Sequence, residues 1–79
     1  MPHVVVKMHP GRTEKQKRDC AKGVALAVMD AIGVEDVLMS VSVMEIPVDE
    51  WDAKINGIDR KDPDAVLYIP KGTKLDTWE

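Results

Sequence analysis

One helix, bracketed at both ends and flanked by two β-branched runs, limits this chain to few folds. Thr13-Glu14-Lys15-Gln16 fits a capping box. In that motif the Thr13 hydroxyl caps the first turn and the Gln16 side chain reaches back to it. Gly33 stands where a helix stops on a left-handed residue, with Val34 as the apolar residue after it. Between these signals Cys20, Val24, Ala27, Val28, Ala31 and Ile32 recur three and four apart, an apolar stripe of helical period. Glu14, Lys15, Lys17, Arg18, Asp19 and Lys22 crowd the first half and read as a solvated face. Gly23 costs such a helix about 1 kcal/mol against Ala. It is expected to permit close packing.

Val4-Val5-Val6-Lys7-Met8, just after Pro2, is a mostly β-branched run. They predict a strand buried on both faces, as in a parallel sheet. His9-Pro10-Gly11-Arg12 breaks it with turn residues. Residues 37–46 predict the second strand, with Val41 and Val43 on one face and Ser40, Ser42 and Met44 on the other. Strand, helix and strand make one βαβ unit, whose crossover joins parallel strands with right-handed sense. The fold class is α/β, or α+β in some schemes. After Pro47 the character changes. Residues 48–54 predict one short helical turn anchored by Trp51. Asn56-Gly57 and residues 61–64 read as loop, and residues 65–69 as a short strand stopped by Pro70. Lys71-Gly72-Thr73 opens a polar tail that ends at Glu79. Residues 1–79 thus read as one domain, with a core over 2–51 and a loop, strand and tail over 52–79.

Two strands do not make a stable sheet alone. Nor does a 79-residue domain bury much: about 60–65% of the surface its unfolded chain exposes. The usual supplements are disulfides, a metal or partner chains. One Cys excludes an intrachain disulfide, and His3, His9 and Cys20 lack zinc-site spacing. With no Phe, two Trp and one Tyr, large core side chains are scarce as well. The chain is therefore expected to be a homo-oligomer subunit, a dimer being the least that completes a four-stranded sheet. Eleven basic residues against 14 acidic argue against a nucleic-acid partner. The longest apolar run, residues 24–29, is far too short to span a membrane. The Met-Pro-His start does not read as a signal peptide, and a lone free Cys fits a reducing cytoplasm.

Two residues stand out chemically. Removal of the initiator Met, which the small ring of Pro2 normally permits, leaves a secondary amine at the terminus. A terminal amine titrates near about 8, and apolar burial lowers that, so the group can serve as general base. The bland alternative is a common Met-Pro start with no role. Arg12 precedes a helix N-terminus, a place that favours anions, and its guanidinium can hold a carboxylate through two parallel hydrogen bonds. Alone it is equally an ordinary surface arginine.

Taken jointly, these residues resemble the opening of the 4-oxalocrotonate tautomerase family. That family has an N-terminal proline and a strand, then G-R-[ST]-x-x-Q-K opening the helix. Pro2 and Gly11-Arg12-Thr13-Glu14-Lys15-Gln16-Lys17 match it. A second strand ending Met44-Glu45-Ile46, with Trp51 five residues on, matches too. The resemblance covers residues 2 to about 51. Leu67-Tyr68 and Pro70-Lys71-Gly72 are similar in style to some longer bacterial members.

The resemblance implies a cofactor-independent, metal-free tautomerase acting on a small keto or enol acid. By it, Pro2 moves a proton between carbon and oxygen, and Arg12 binds the substrate carboxylate. Trp51 lines the pocket and helps lower the proline's pKa, against the plainer reading of a dimer anchor. His9 falls where the family uses a backbone group near substrate. The best-known members carry a second arginine on the second strand, and Ser40 stands there instead. A serine hydroxyl hydrogen-bonds but does not neutralise a second carboxylate. The implied substrate is a monocarboxylate, an arylpyruvate or a 2-hydroxy-dienoate type. The family also implies a dimer or a hexamer of three dimers. Three alternatives stay open. One is a related hydratase, dehalogenase or decarboxylase, with Glu45 or Asp49 activating water. Another is a non-catalytic oligomeric binding module. The last is a plain βαβ domain of other ancestry.

Overall fold

The computed structural model describes residues 1–78 and has the strand–helix–strand order. Strand β1 (His3–Met8) leads into helix α1 (Glu14–Ile32), which returns to strand β2 (Ser40–Glu45). A short helix, α2 (Val48–Trp51), runs on as one wider π turn over Asp52–Asn56. β1 and β2 pair in parallel, with His3 opposite Ser40 and Met8 opposite Glu45. The Ile46 N–H continues the ladder, donating to the Met8 carbonyl at 2.8 Å.

α1 starts and stops on local chemistry. The Gln16 N–H donates to Thr13 Oγ1 at 3.1 Å, and the Thr13 N–H donates to Gln16 Oε1 at 2.9 Å. Gly33 sits at φ 71°, and its N–H donates to the Met29 carbonyl at 2.9 Å. Without a Cβ, glycine takes that left-handed conformation at little cost. Cys20, Val24 and Val28 are half-buried toward the sheet, as the stripe predicts. Ala27, Ala31 and Ile32 are exposed instead. Ala27 lies off the half-buried stripe, which runs through Ala21, Ala25 and Met29 as well, while Ala31 and Ile32 overrun the sheet, since 19 helical residues span about 28 Å and six strand residues about 20 Å. Gly23 packs closely on nothing; a Cβ there would meet open space.

Three further expectations give way. β1 is not buried on both faces. Val4 and Val6 are half-buried on one side, while Val5 is 42% exposed on the other, because one helix covers only one face. The second strand does not begin at residue 37. Asp36–Leu38 form a 3₁₀ turn, and β2 starts at Ser40, where β1 first offers a partner. Residues 65–69 form no strand, since no sheet edge of the chain pairs them. The Tyr68 carbonyl accepts from Trp78 Nε1 at 3.2 Å instead.

Among the described residues only Ile46 and Ile55 are buried. Lys7 Nζ donates to Asp59 at 2.6 Å, tying the turn Asp59–Lys61 back to β1. The chain exposes 6,479 Å², whereas a compact monomer of 8.8 kDa exposes about 4,800 Å². Its radius of gyration is 14.0 Å, against about 12 Å for a compact domain of this length. Among the described residues no helix is long and apolar enough to cross a membrane.

Candidate functional site

The parallel pairing sorts the candidate residues to two ends of the sheet. Pro2, His3 and Ser40 stand at the amino end; His9, Arg12 and Trp51 belong to the carboxyl end. Six residues of β1 lie between, about 20 Å at strand rise.

At the amino end Pro2 is half-buried, and Met1 before it is 99% exposed. The Pro2 carbonyl accepts from the Ser40 N–H at 3.3 Å. Ser40 Oγ and His3 Nδ1 are 2.7 Å apart, both side chains exposed. The phase of the valines explains this contact. With Val4, Val6, Val41 and Val43 turned toward α1, His3 and Ser40 must share the opposite face. Sequence reasoning missed the pair because it follows from the register, which no local signal announces.

At the carboxyl end Gly11, at φ 116°, turns the chain out of β1 and delivers Arg12 just before the helix cap. Arg12 is exposed and has no carboxylate partner among the described residues. Its guanidinium is thus free for a ligand anion. Trp51 is half-buried and meets the His9 ring edge-on, with centroids 4.5 Å apart and planes at 85°. His9 is thereby an aromatic neighbour of Trp51, an arrangement with no sequence signal, since the two lie far apart along the chain.

Glu45 is engaged. It accepts from Lys17 Nζ at 2.6 Å, joining β2 to α1. That hydrogen bond is the main reason the Lys17 ammonium is held above the ordinary lysine pKa. Glu45 also lies at the end of β2 remote from Pro2 of the same chain. Asp49 is exposed in the first turn of α2. Among the described residues no three His, Cys, Asp or Glu side chains cluster as metal ligands. Two shallow cavities, of about 210 and 260 Å³, are lined by neither Pro2, Arg12 nor Trp51. The structure therefore does not bring Pro2, Arg12 and Trp51 together within one chain.

Comparison with known proteins converges. Residues 2–54 match the family described as Tautomerase enzyme. A probable tautomerase of Xylella fastidiosa (strain 9a5c) is 34% identical over 59 residues, 75% of this chain and 72% of that protein. The crystal structure of YwhB, a homologue of 4-oxalocrotonate tautomerase, superposes with a TM-score of 0.60 at 28% identity. That superposition covers 99% of this chain and all of the other.

Proposed function

The chain belongs to the tautomerase family, and from that premise we propose that it interconverts enol and keto forms of a small monocarboxylate with Pro2 as general base. At family level the protein is an isomerase. Loss of Met1 turns the Pro2 nitrogen from an amide into a secondary amine. The neutral amine takes the proton of the enol hydroxyl, and the electron pair of the C–C double bond moves toward carbon as the carbonyl forms. Protonated Pro2 then delivers the proton to that carbon, so product and substrate are isomers. Arg12 orients the carboxylate and stabilises the charge that develops on the dienolate. Trp51 supplies an apolar wall that disfavours the charged amine. Ser40, in place of the family's second arginine, leaves one carboxylate to be bound and favours arylpyruvate or 2-hydroxy-dienoate enols.

The observation that carries this reading is that the family match opens on Pro2 itself. The separation of Pro2 from Arg12 adds a second element: the base of one chain acts with Arg12 and Trp51 of another. The excess exposed surface, about 1,700 Å², supports such association, since one partner of a standard interface contributes about 800 Å². A dimer or a hexamer of three dimers satisfies it, and light scattering coupled to gel filtration distinguishes them. Loss of enol absorbance with phenylenolpyruvate and 2-hydroxymuconate tests the chemistry. Pro2→Ala is expected to lower kcat about 10²- to 10⁴-fold, the range of a lost general base. Full activity in that variant ends the general-base role, whereas a wild type inactive on both enols leaves a binding module on the same fold.

A further inference from the structure

The amino end of the sheet holds a polar arrangement beside Pro2 that the proton transfer leaves unused. His3 follows the base directly, and its Nδ1 lies 2.7 Å from the Ser40 hydroxyl. The Ser40 N–H also holds the Pro2 carbonyl, at 3.3 Å. Ser40 thus fixes Pro2 through the backbone and His3 through the side chain. When the Ser40 hydroxyl donates to Nδ1, the neutral ring carries its proton on Nε2, on the opposite side of the ring. That N–H is a donor without a partner among the described residues, on an exposed side chain.

The surrounding charge narrows what it can recognise. Residues 1–6 and 33–44 contain no Lys or Arg, and their charged members are Glu35 and Asp36. A second carboxylate brought here meets no cation from these segments, and the Arg12 that another chain brings to Pro2 is already taken by the first, so it must shed its hydration for one neutral donor. A hydroxyl or carbonyl oxygen meets a matched partner at much smaller desolvation cost.

We infer that His3 and Ser40 form a specificity subsite for an uncharged oxygen on the substrate, remote from its carboxylate. His3 is the donor and Ser40 the residue that positions it. The subsite rests on Pro2 being the base, because its place beside that residue gives it access to substrate. It selects monocarboxylate enols that carry a distal hydroxyl or carbonyl, such as a para-hydroxyaryl enolpyruvate, over the unsubstituted aryl compound and over dicarboxylates.

The test compares kcat/KM for phenylenolpyruvate, its para-hydroxy analogue and 2-hydroxymuconate, with calorimetric Kd values for the matching keto acids. The proteins are the wild type, His3→Phe, His3→Gln, Ser40→Ala and Ser40→Thr. One hydrogen bond to an uncharged group predicts that the wild type favours the hydroxylated aryl compound about two- to tenfold, through KM rather than kcat. In His3→Phe the ratio falls to about one. His3→Gln, whose amide N–H reaches the place of Nε2–H, and Ser40→Thr, which keeps the hydroxyl, retain it; Ser40→Ala weakens it. Each ratio is taken on one preparation, so partial loss of fold cancels. No preference in the wild type, an unmoved ratio in His3→Phe, or tighter binding of the dicarboxylate overturns the subsite. Pro2→Ala assayed alongside separates the two ideas: full activity there removes the general base, whereas an inactive Pro2→Ala with an unmoved His3→Phe ratio removes the subsite alone.

Discussion

Two inactive variants, mixed, are expected to make active enzyme. Pro2→Ala keeps Arg12 and Trp51, and Arg12→Ala keeps Pro2. The six residues of β1 hold Pro2 and Arg12 about 20 Å apart within one chain. That exceeds what an extended arginine side chain and a small enol acid span together, so a working site must draw on two chains. If equal amounts co-assemble at random, half of the sites receive a native Pro2, and half of those a native Arg12. About a quarter of the wild-type sites are then intact, for a dimer and a hexamer alike. The backgrounds are low. Loss of the base costs about 10²- to 10⁴-fold. Loss of a charge-assisted hydrogen bond of about 1.5–3 kcal/mol costs roughly 10- to 150-fold. Arg12 has no carboxylate partner among the described residues, so its truncation is not expected to unsettle the fold. The variants are unfolded together in denaturant, refolded together, checked for the wild-type elution volume and assayed by enol absorbance. A mixture no more active than the mean of the two variants refolded separately refutes the shared site.

Three other outcomes follow from the geometry. Thr13→Ala removes one arm of the capping box, about 1 kcal/mol, and should lower Tm by about 4–8 °C; an unchanged melt in scanning fluorimetry would mean the box carries no stability. Lys17 has its pKa raised above 10.5 by the Glu45 hydrogen bond, so its stabilising effect is complete below 10.5 and is lost as pH rises through the higher folded value. The urea-midpoint gap between wild type and Lys17→Met should therefore hold steady from about pH 7 to 9 and shrink in stronger base; a gap that widens there contradicts the ion pair. Trp51→Ala removes the apolar wall, so the rising limb of the pH–rate profile should move toward the ordinary terminal-amine value of about 8, and an unmoved limb would take Trp51 out of the site.

What the sequence disclosed was what local chemistry decides. Thr13, Gln16 and Gly33 act on atoms within a few residues of themselves, so both ends of α1 were legible. The valine phase gave the two faces of the sheet for the same reason. What it withheld depends on distant partners. Residues 37–39 have the composition of a strand but lie beyond the start of β1, and a strand forms only beside a neighbour. Residues 65–69 carry strand-forming side chains but pair with neither open edge of the two-stranded sheet. The overhang of α1 needed the two lengths compared, and the exposed face of β1 needed the number of helices covering it. That His3 meets Ser40 emerged only from the register. Pro2 and Arg12 were recognisable by type and spacing, and the strand read between them already set them at its opposite ends.

That separation follows from the topology rather than from any one side chain. In a βαβ unit the helix N-terminus follows the carboxyl end of the first strand, so an anion-holding group placed there is set at that end. A base at residue 2 precedes the same strand and is set at the other. No substitution within such a chain brings the two together, because the strand itself is the spacer. An interface about a twofold axis crossing the strands would turn one chain end for end against its partner. It would set the amino end of each sheet by the carboxyl end of the other and form two equal sites. The same contact would cover surface that a chain with two buried residues among those described leaves open. Stability and catalysis would then share one interface, and a change on the open sheet face, at Val5 or Met44, would reach the Pro2 chemistry without touching substrate.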